Sequence, residues 1–382
     1  MLLFTYISLI MERLKLKTEE SSIRFILAIT LFPVLLMNGM YYMMPFDAIN
    51  VYEYLSGDAL SSYHLVNIFT GSAVMPLVAL ITGYMLNHWR DRGAMDLVKI
   101  TITVFLAGTM QSVFIFAWDF LPGLALMALV GIIFLKSKWF VPMISAVLLF
   151  VFHMAVNVLP DILENIGSPT DKMYSAIQTV NEQTSVYRSS DYFAIISKNI
   201  EIFTGDIPGT VYTLLFTVLP WLLFGLALSK VGIKDVLAAN HILTVAMFIT
   251  LAGGGLALKL IQVVTLGTYS GTLLADNFGG PVLALGYFIL LLFTSAVIPR
   301  KAVALFAPLG SRVLTMYIAG NILLIFIFYG IGFTAYGDIS ILSMVLVMTA
   351  VYVLLLAGGV LSRKAGGIET LFTDNSDKSG EN

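Results

Sequence analysis

The chain has 382 residues, 58% of them hydrophobic and only 12% charged, with a mean hydropathy of +0.91. A water-soluble domain carries about twice that charged fraction, so composition alone excludes one. The formal net charge of -2 offers no basic surface for nucleic acid, and the absence of cysteine excludes disulfides, thiol nucleophiles and cysteine-based metal sites.

Such a chain is expected to cross a bilayer repeatedly. A helix needs about 20 mostly apolar residues to span the hydrocarbon. In lipid the backbone must satisfy its own hydrogen bonds, so the apolar runs read as helices. The expected fold is all-α and polytopic, with about ten transmembrane helices. In chain order the spans are 23–44, 65–87, 98–117, 119–135, 139–158, 207–229, 240–264, 281–298, 312–333 and 340–361. Only Trp118-Asp119 separates the third from the fourth, and Pro122 just beyond suits the first turn of a new helix, which predicts a tight hairpin.

Lys and Arg give an independent check, because they mark cytoplasmic loops. With both termini cytoplasmic, 17 of the 21 basic residues fall on the inner side. Lys172, Arg188 and Lys198 lie outside, and Lys259 lies within the seventh span. Thirteen of the 23 acidic residues fall outside, which favours cations or neutral polar molecules at that face over polyanions. Short loops and this sorting suit a bacterial plasma membrane.

The spans divide the chain into residues 1–22, an interfacial or cytoplasmic start; 23–158, a first half of five helices; 159–206, a long outer loop; 207–363, a second half of five; and 364–382, a polar cytoplasmic tail expected to be disordered. Met1 to Met11 is apolar but lacks the basic n-region of a cleaved signal peptide. Either it lies in the interface or Met11 is the start. In the outer loop, Ile195, Ile196, Ile200 and Phe203 at helix-like spacing predict a helix on the outer surface, serving as a lid or a plain connector. The five-plus-five division suits an internal repeat, although the halves show no sequence echo.

Ionisable groups at membrane depth are costly and are therefore the first candidates for function. Lys259 either snorkels to the outer interface or faces a cavity, and Gly253-Gly254-Gly255 one turn inward marks this span as a broken or cavity-lining helix. His64 and His153 sit near outer helix ends and, with Asp119, Lys259 and Asp276, are expected to converge on one outward-facing cavity. A histidine beside a carboxylate serves as a general base near neutral pH, whereas a lone interfacial histidine does nothing of the kind. Asn38, Gln111, Asn157, Gln262 and Asn321 are expected to form interhelical hydrogen bonds. No HExxH or HxxxH pair occurs, so no metal is expected.

Several pieces resemble one family. Leu309-Gly310-Ser311-Arg312-Val313-Leu314-Thr315-Met316-Tyr317 is similar to the G-R-x-x-L-T-x-Y signature of the YeiB-like membrane proteins of the domain-of-unknown-function 418 family, with Ser311 inserted between Gly and Arg. Phe328-Tyr329-Gly330-Ile331-Gly332 resembles its F-Y-G-x-G stretch, Trp118-Asp119-Phe120-Leu121 its G-D-I-L turn, and Leu219-Pro220 through Lys230-Val231-Gly232-Ile233 its mid-chain helix and basic loop. Together these pieces cover most of residues 65–365.

The resemblance implies a distant tie to transmembrane acyltransferases, which use a cytoplasmic acyl-CoA and a histidine on the far side that serves the acceptor. Met75-Pro76 and Gly83 resemble that group's F-P…G spacing, which places its histidine at Ser62, two residues from His64. The family's D-x-x-R-G element, eleven residues before an asparagine, would put its arginine at Leu27 when counted from Asn38, and Arg24 stands one turn earlier.

On this reading His64 and Asp119 are catalytic, Asn38, His153, Lys259 and Asp276 bind substrate, and Arg24, Arg90 and Arg92 hold the phosphates of acyl-CoA, a co-substrate with no covalently bound cofactor. The acceptor would be a small polar molecule. The alternative is a secondary transporter or exporter of a small polar or amphiphilic molecule, favoured by Lys259 and the glycine run. A third, non-catalytic role in sensing rests on the large outer loop alone.

Overall fold

The computed structural model describes residues 2–46, 48–166, 177–361 and 368. Apart from Ile368, the expected disordered tail lies outside them. The described residues hold helices and no strand, so the chain is an all-α polytopic membrane protein. Among the described residues, eight helices are long and apolar enough to cross a membrane. A ninth is a bent pair, α15 (Arg300–Gly310) and α16 (Val313–Phe328), with a 67° turn between Lys301–Gly310 and Val313–Phe328. The expected fourth span is a shorter apolar helix, α5 (Leu121–Ile133).

The remaining elements follow in order. Helix α1 (Leu2–Met43) is continuous from the apolar start into the first span; α2 (Gly57–Thr70) and α3 (Val74–His88) form the second; α4 (Ala94–Phe114) the third. Helix α6 (Phe140–His153) runs through a π-helical turn at Met154–Val158 and on to Glu164, so the fifth span is longer than its apolar run suggested. Helices α7 (Ile177–Tyr187) and α8 (Tyr192–Thr204) occupy the long loop. The second half holds α9 (Ile207–Thr217) and α10 (Leu219–Lys230), then the short α11 (Ile233–Ala239) and α12 (His241–Val264). Helix α13 (Tyr269–Leu274) passes through a second π-helical turn at Ala275–Gly279 into α14 (Gly280–Val297), and α17 (Ile341–Leu361) closes the chain.

Local chemistry explains many of these ends. Asp191, Asp206, Asn240 and Thr268 each accept a backbone N–H at the start of α8, α9, α12 and α13, which satisfies one of the donors every helix start leaves open. Glycine permits a close helix contact. A Cβ on Gly83 would strike the backbone of Leu222, and one on Gly225 the backbone of Leu80, so α3 and α10 pack backbone to backbone.

Contacts sort the bundle into two ends. At the basic end, Lys230 Nζ donates to the carbonyls of Phe134, Leu135 and Ser137 at 2.5–2.9 Å. At the opposite end α7 and α8 are tied to the helix bundle. Gly330 N donates to Tyr187 O at 2.8 Å, Asn199 Nδ2 to Val113 O at 3.2 Å, and Arg188 pairs with Asp338 at 2.7 Å. Within α8, Ile195 is fully buried while Ile200 is exposed, so the helix docks by one face only.

Beneath that attachment lies a layer of rings. Tyr187 contacts Tyr329, Tyr336 and Trp118, with centroids 4.7, 5.3 and 5.8 Å away, and Tyr42 stacks on Phe116 at 4.4 Å. Aromatic pairs of this kind add stability beyond the area they bury. The layer separates the outer helices from the polar cluster described next.

Candidate functional site

Three residues drawn from separate stretches of sequence meet in one hydrogen-bonded cluster. Asn38 Nδ2 donates to Tyr317 OH at 3.0 Å, and Tyr317 OH donates to Asp119 Oδ1 at 2.9 Å. Tyr42 OH donates to Asn321 Oδ1 at 3.2 Å, and Asn321 Nδ2 donates back to Tyr317 O at 3.2 Å. All five side chains are buried, Asp119 being the most exposed at 8%.

The sequence builds the cluster from three elements. Asn38 and Tyr42 are one turn apart on α1, and Tyr317 and Asn321 one turn apart on α16, so each pair faces the other helix. Asp119 lies in the hairpin between α4 and α5, where Oδ1 also accepts Leu121 N at 3.2 Å. The positive end of a helix favours a carboxylate there. Gly310 lets α15 approach closely, since a Cβ would collide with the backbone of Arg24.

The cluster is incomplete as it stands. Asn38 Oδ1 and Asp119 Oδ2 are buried and have no hydrogen-bond partner among the described residues. Burying an acceptor unsatisfied costs about 1–3 kcal/mol, so each invites a donor from a ligand or water.

A cavity of ≈ 350 Å³ reaches from the basic end to Tyr317, the member of this cluster that lines it, a volume within the range of small-molecule sites. Phe120, Leu121 and Tyr317 line its deep end, and Glu20, Arg24, Trp89 and Arg92 its mouth. Aliphatic side chains such as Leu27, Leu31, Val78 and Leu124 form the walls between. From Glu20 to Val34 along α1 the depth is about 21 Å, at the 1.5 Å rise of a helix. Arg24 pairs with Glu20, and the Arg92 guanidinium lies 5.4 Å from the centre of the Trp89 ring. A cationic rim over an apolar shaft with hydrogen-bonding groups at the bottom suits an amphiphile with an anionic head.

The other expected residues do not join this cavity, so the single outward-facing site is corrected to three separate groups. His64 packs between the rings of Tyr52 and Tyr63, with centroids 5.5 and 5.6 Å away. Between it and the hairpin stand the successive rings of Tyr63, Phe46, Tyr41 and Trp118.

Lys259 does not snorkel. It is fully buried and its Nζ lies 3.1 Å from Asp276 Oδ1. Helix α12 is also unbroken through Gly253-Gly254-Gly255. Gly255 packs on the backbone of Leu283, while Gly253 and Gly254 face open space. The irregular backbone falls instead in the two π-helical turns, the second of which carries Asp276. Next to it, Asn277 Oδ1 lies 3.3 Å from His153 Nε2, and Asn157 Nδ2 lies 3.2 Å from His153 Nδ1. Tyr212 OH donates to Asn157 Oδ1 at 2.9 Å. The amide nitrogen of Asn157 makes His153 Nδ1 an acceptor, so this neutral imidazole carries its proton on Nε2.

Of the expected interhelical amides, Gln262 accepts from Asn67 Nδ2 at 3.0 Å, whereas Gln111 is buried with no side-chain partner among the described residues. Arg90 is separated from Arg24 and Arg92, for it lines a second, polar pocket. Tyr317 and Tyr42 had not been singled out as chemical groups. Tyr317 stood at the end of the Leu309–Tyr317 stretch, which was the signal available.

The molecule is thus a polytopic helical membrane protein with a cavity entered at its basic end. Residues 228–361 match the family model described as "Protein of unknown function (DUF418)", the family that the sequence pieces resemble. The match includes Lys259, Asp276 and Tyr317. No curated protein and no solved structure matches the chain.

Proposed function

We propose that the protein is a membrane-embedded acyltransferase that takes acyl-CoA from the cytoplasmic side and acylates a small polar acceptor. The observation that carries this reading is the cavity that runs from Arg24 and Arg92, through apolar walls, to Tyr317, whose hydroxyl donates to Asp119 behind it. The basic end is the cytoplasmic one by the distribution of Lys and Arg. The two arginines suit the donor's phosphates, the shaft suits its long pantetheine arm, and the thioester then reaches the deep end.

There an acceptor hydroxyl or amine attacks the thioester carbonyl. The new C–O or C–N bond forms, the C–S bond breaks, and the CoA thiolate leaves along the shaft toward the mouth. The acceptor's proton passes to Asp119, whose Oδ2 has no other partner among the described residues, while Tyr317 and the Leu121 amide hold Oδ1 in place. His64 lies across the ring series from this pair, and on this reading it meets the acceptor rather than the thioester.

Transfer of a radiolabelled acyl group from acyl-CoA by the purified protein tests the reading. Asp119→Asn should slow it about a hundredfold or more, as losing a general base does, with acyl-CoA binding retained. Equal rates for the two proteins would remove Asp119 from the chemistry.

One observation favours the transporter reading as a second choice. The Lys259–Asp276 pair lies within two membrane-spanning helices beside two π-helical turns, and such turns recur at functional sites. Substrate flux that disappears in Lys259→Met, from a protein that gives no acyl transfer, would put transport first.

A further inference from the structure

The basic end holds a second cavity of ≈ 310 Å³, which shares Ile23 with the first and otherwise has different walls. Its chemistry is the reverse of the apolar shaft. Arg90, Lys230 and Lys234 line it together with Asp91 and Asp235, over an apolar floor that includes Ile26 and Leu292.

The roles of these groups follow from their bonds. Lys230 gives all three ammonium protons to the carbonyls of Phe134, Leu135 and Ser137. It can therefore contribute charge to the pocket but no further hydrogen bond. Arg90 meets Asp91 through Nε at 3.4 Å, and its Nη groups have no bond among the described residues. Arg90, Lys230 and Lys234 outnumber Asp91 and Asp235 on this pocket, so its balance of charge favours an anion. The forked edge of a guanidinium is matched in shape to a phosphate.

Other groups on the lining ask for something else. Asn87 Nδ2 donates to Ser229 Oγ at 3.0 Å, which fixes the amide and leaves Asn87 Oδ1 as the acceptor. That oxygen is buried and has no partner among the described residues. Asp235 adds a second acceptor on the same pocket. A phosphate diester has no donor of its own for these oxygens, whereas a phosphate ester carrying hydroxyl groups would satisfy Arg90 and both acceptors. The apolar floor, at the polar end of the bundle, suits the glycerol region of a lipid.

We infer that this pocket binds a hydroxyl-bearing phosphate ester, such as the headgroup of a glycerol phospholipid or a soluble ester of the same make-up. Arg90 grips the phosphate, Lys230 supplies charge, and Asn87 and Asp235 accept from the hydroxyls. The site is distinct from the acyl-CoA cavity and does not depend on that assignment.

The test uses the full-length protein in detergent and three probes: dioctanoyl phosphatidylglycerol, dioctanoyl phosphatidylcholine and glycerol 3-phosphate. Thermal stability and hydrogen exchange over residues 84–92 and 229–237 are followed as each is titrated. Phosphatidylglycerol should raise Tm and protect both segments, and phosphatidylcholine, with a phosphate but no hydroxyl donor, should bind at least tenfold more weakly. Arg90→Gln should weaken phosphatidylglycerol about tenfold or more and leave acyl-CoA binding unchanged, while Arg92→Gln should do the opposite. The Arg90 side chain is 58% exposed, so its replacement leaves the fold intact.

If glycerol 3-phosphate protects the segments as well as the lipid does, the phosphate-ester chemistry stands and its source is soluble. Protection of neither segment by any probe would overturn the inference, as would lipid binding that ignores Arg90→Gln. A loss of acyl-CoA affinity in Arg90→Gln equal to that in Arg92→Gln would join the pocket to the donor cavity and also end it.

Discussion

The two buried polar clusters of this protein solve the same problem in different ways. Asn38, Tyr317 and Asp119 form a chain of hydrogen bonds in which one carboxylate is held by a hydroxyl and a backbone amide, beside a cavity. Lys259 and Asp276 form an ion pair, with Lys259 wholly enclosed and the Asp276 side chain 36% exposed. A charge in low dielectric survives only with good partners. The first cluster leaves two buried acceptors without partners among the described residues, behind the cavity wall that Tyr317 forms. The second balances charge against charge, which makes it a structural joint or a transport site.

Breaking the ion pair should have the largest effect on stability. Asp276→Asn leaves the Lys259 ammonium buried without its counterion, a situation that costs about 3–5 kcal/mol. Lys259→Met should cost less, because the remaining carboxylate is partly exposed, and the double variant Lys259→Met/Asp276→Leu should recover most of the loss. Denaturation in detergent, compared across the three, reads this directly. If Asp276→Asn were as stable as the parent, the pair would not be the joint that its burial suggests.

At the cavity, Asp119→Asn should cost about a hundredfold in transfer rate, as argued above. Tyr317→Phe comes next. It removes the hydroxyl that joins Asn38 to Asp119 and should lower stability by about 1–3 kcal/mol through the unpaired groups left behind. Restoring a polar group with Tyr317→His should recover part of the activity if the hydroxyl positions Asp119, and none if the ring alone matters.

The smallest effect concerns the opposite end. The Arg188 hydrogen bond and charge hold the Asp338 carboxyl below the ordinary carboxylate range. Stability from this tie is present above the ordinary aspartate pKa of about 3.9. It is lost as the pH falls through the lowered folded value. Hydrogen exchange at 184–190 and 334–340 should therefore stay slow down to about pH 4 and quicken below it. Arg188→Gln should loosen the same segments at neutral pH.

Much of this was legible in the sequence, and the reason differs from one residue to the next. Span positions follow from long apolar runs, since no other structure satisfies the backbone in lipid. The hairpin at Trp118-Asp119 was readable from Pro122. Where helices bend, apolar runs mislead: α6 continues to Glu164 and α13 begins at Tyr269, because π-helical turns carry polar residues through a span without ending it. The glycine run in α12 suggested a break that did not occur, because its open side needs no backbone irregularity.

The convergence of Asn38, Asp119 and Tyr317 was only half visible. Asp119 and Tyr317 lay in pieces that resembled the family, whereas Asn38 stood where the family pattern was departed from, and their contact depends on how α1, α16 and the hairpin pack, separated by 279 and 198 residues in the chain. The same limit grouped His64 and Lys259 with Asp119, since depth in the membrane is readable from sequence and lateral position is not. It likewise merged Arg90 with Arg92, which lie two residues apart on different cavities.

The most direct test is acyl-CoA binding to the detergent-purified protein and to Arg24→Gln and Arg92→Gln, with free CoA and ATP as controls. Concentration-dependent thermal stabilisation by acyl-CoA, stronger than by either control and weakened about tenfold or more in each arginine variant, is the predicted result. No stabilisation of the parent protein, or equal stabilisation of all three proteins, would contradict the donor site.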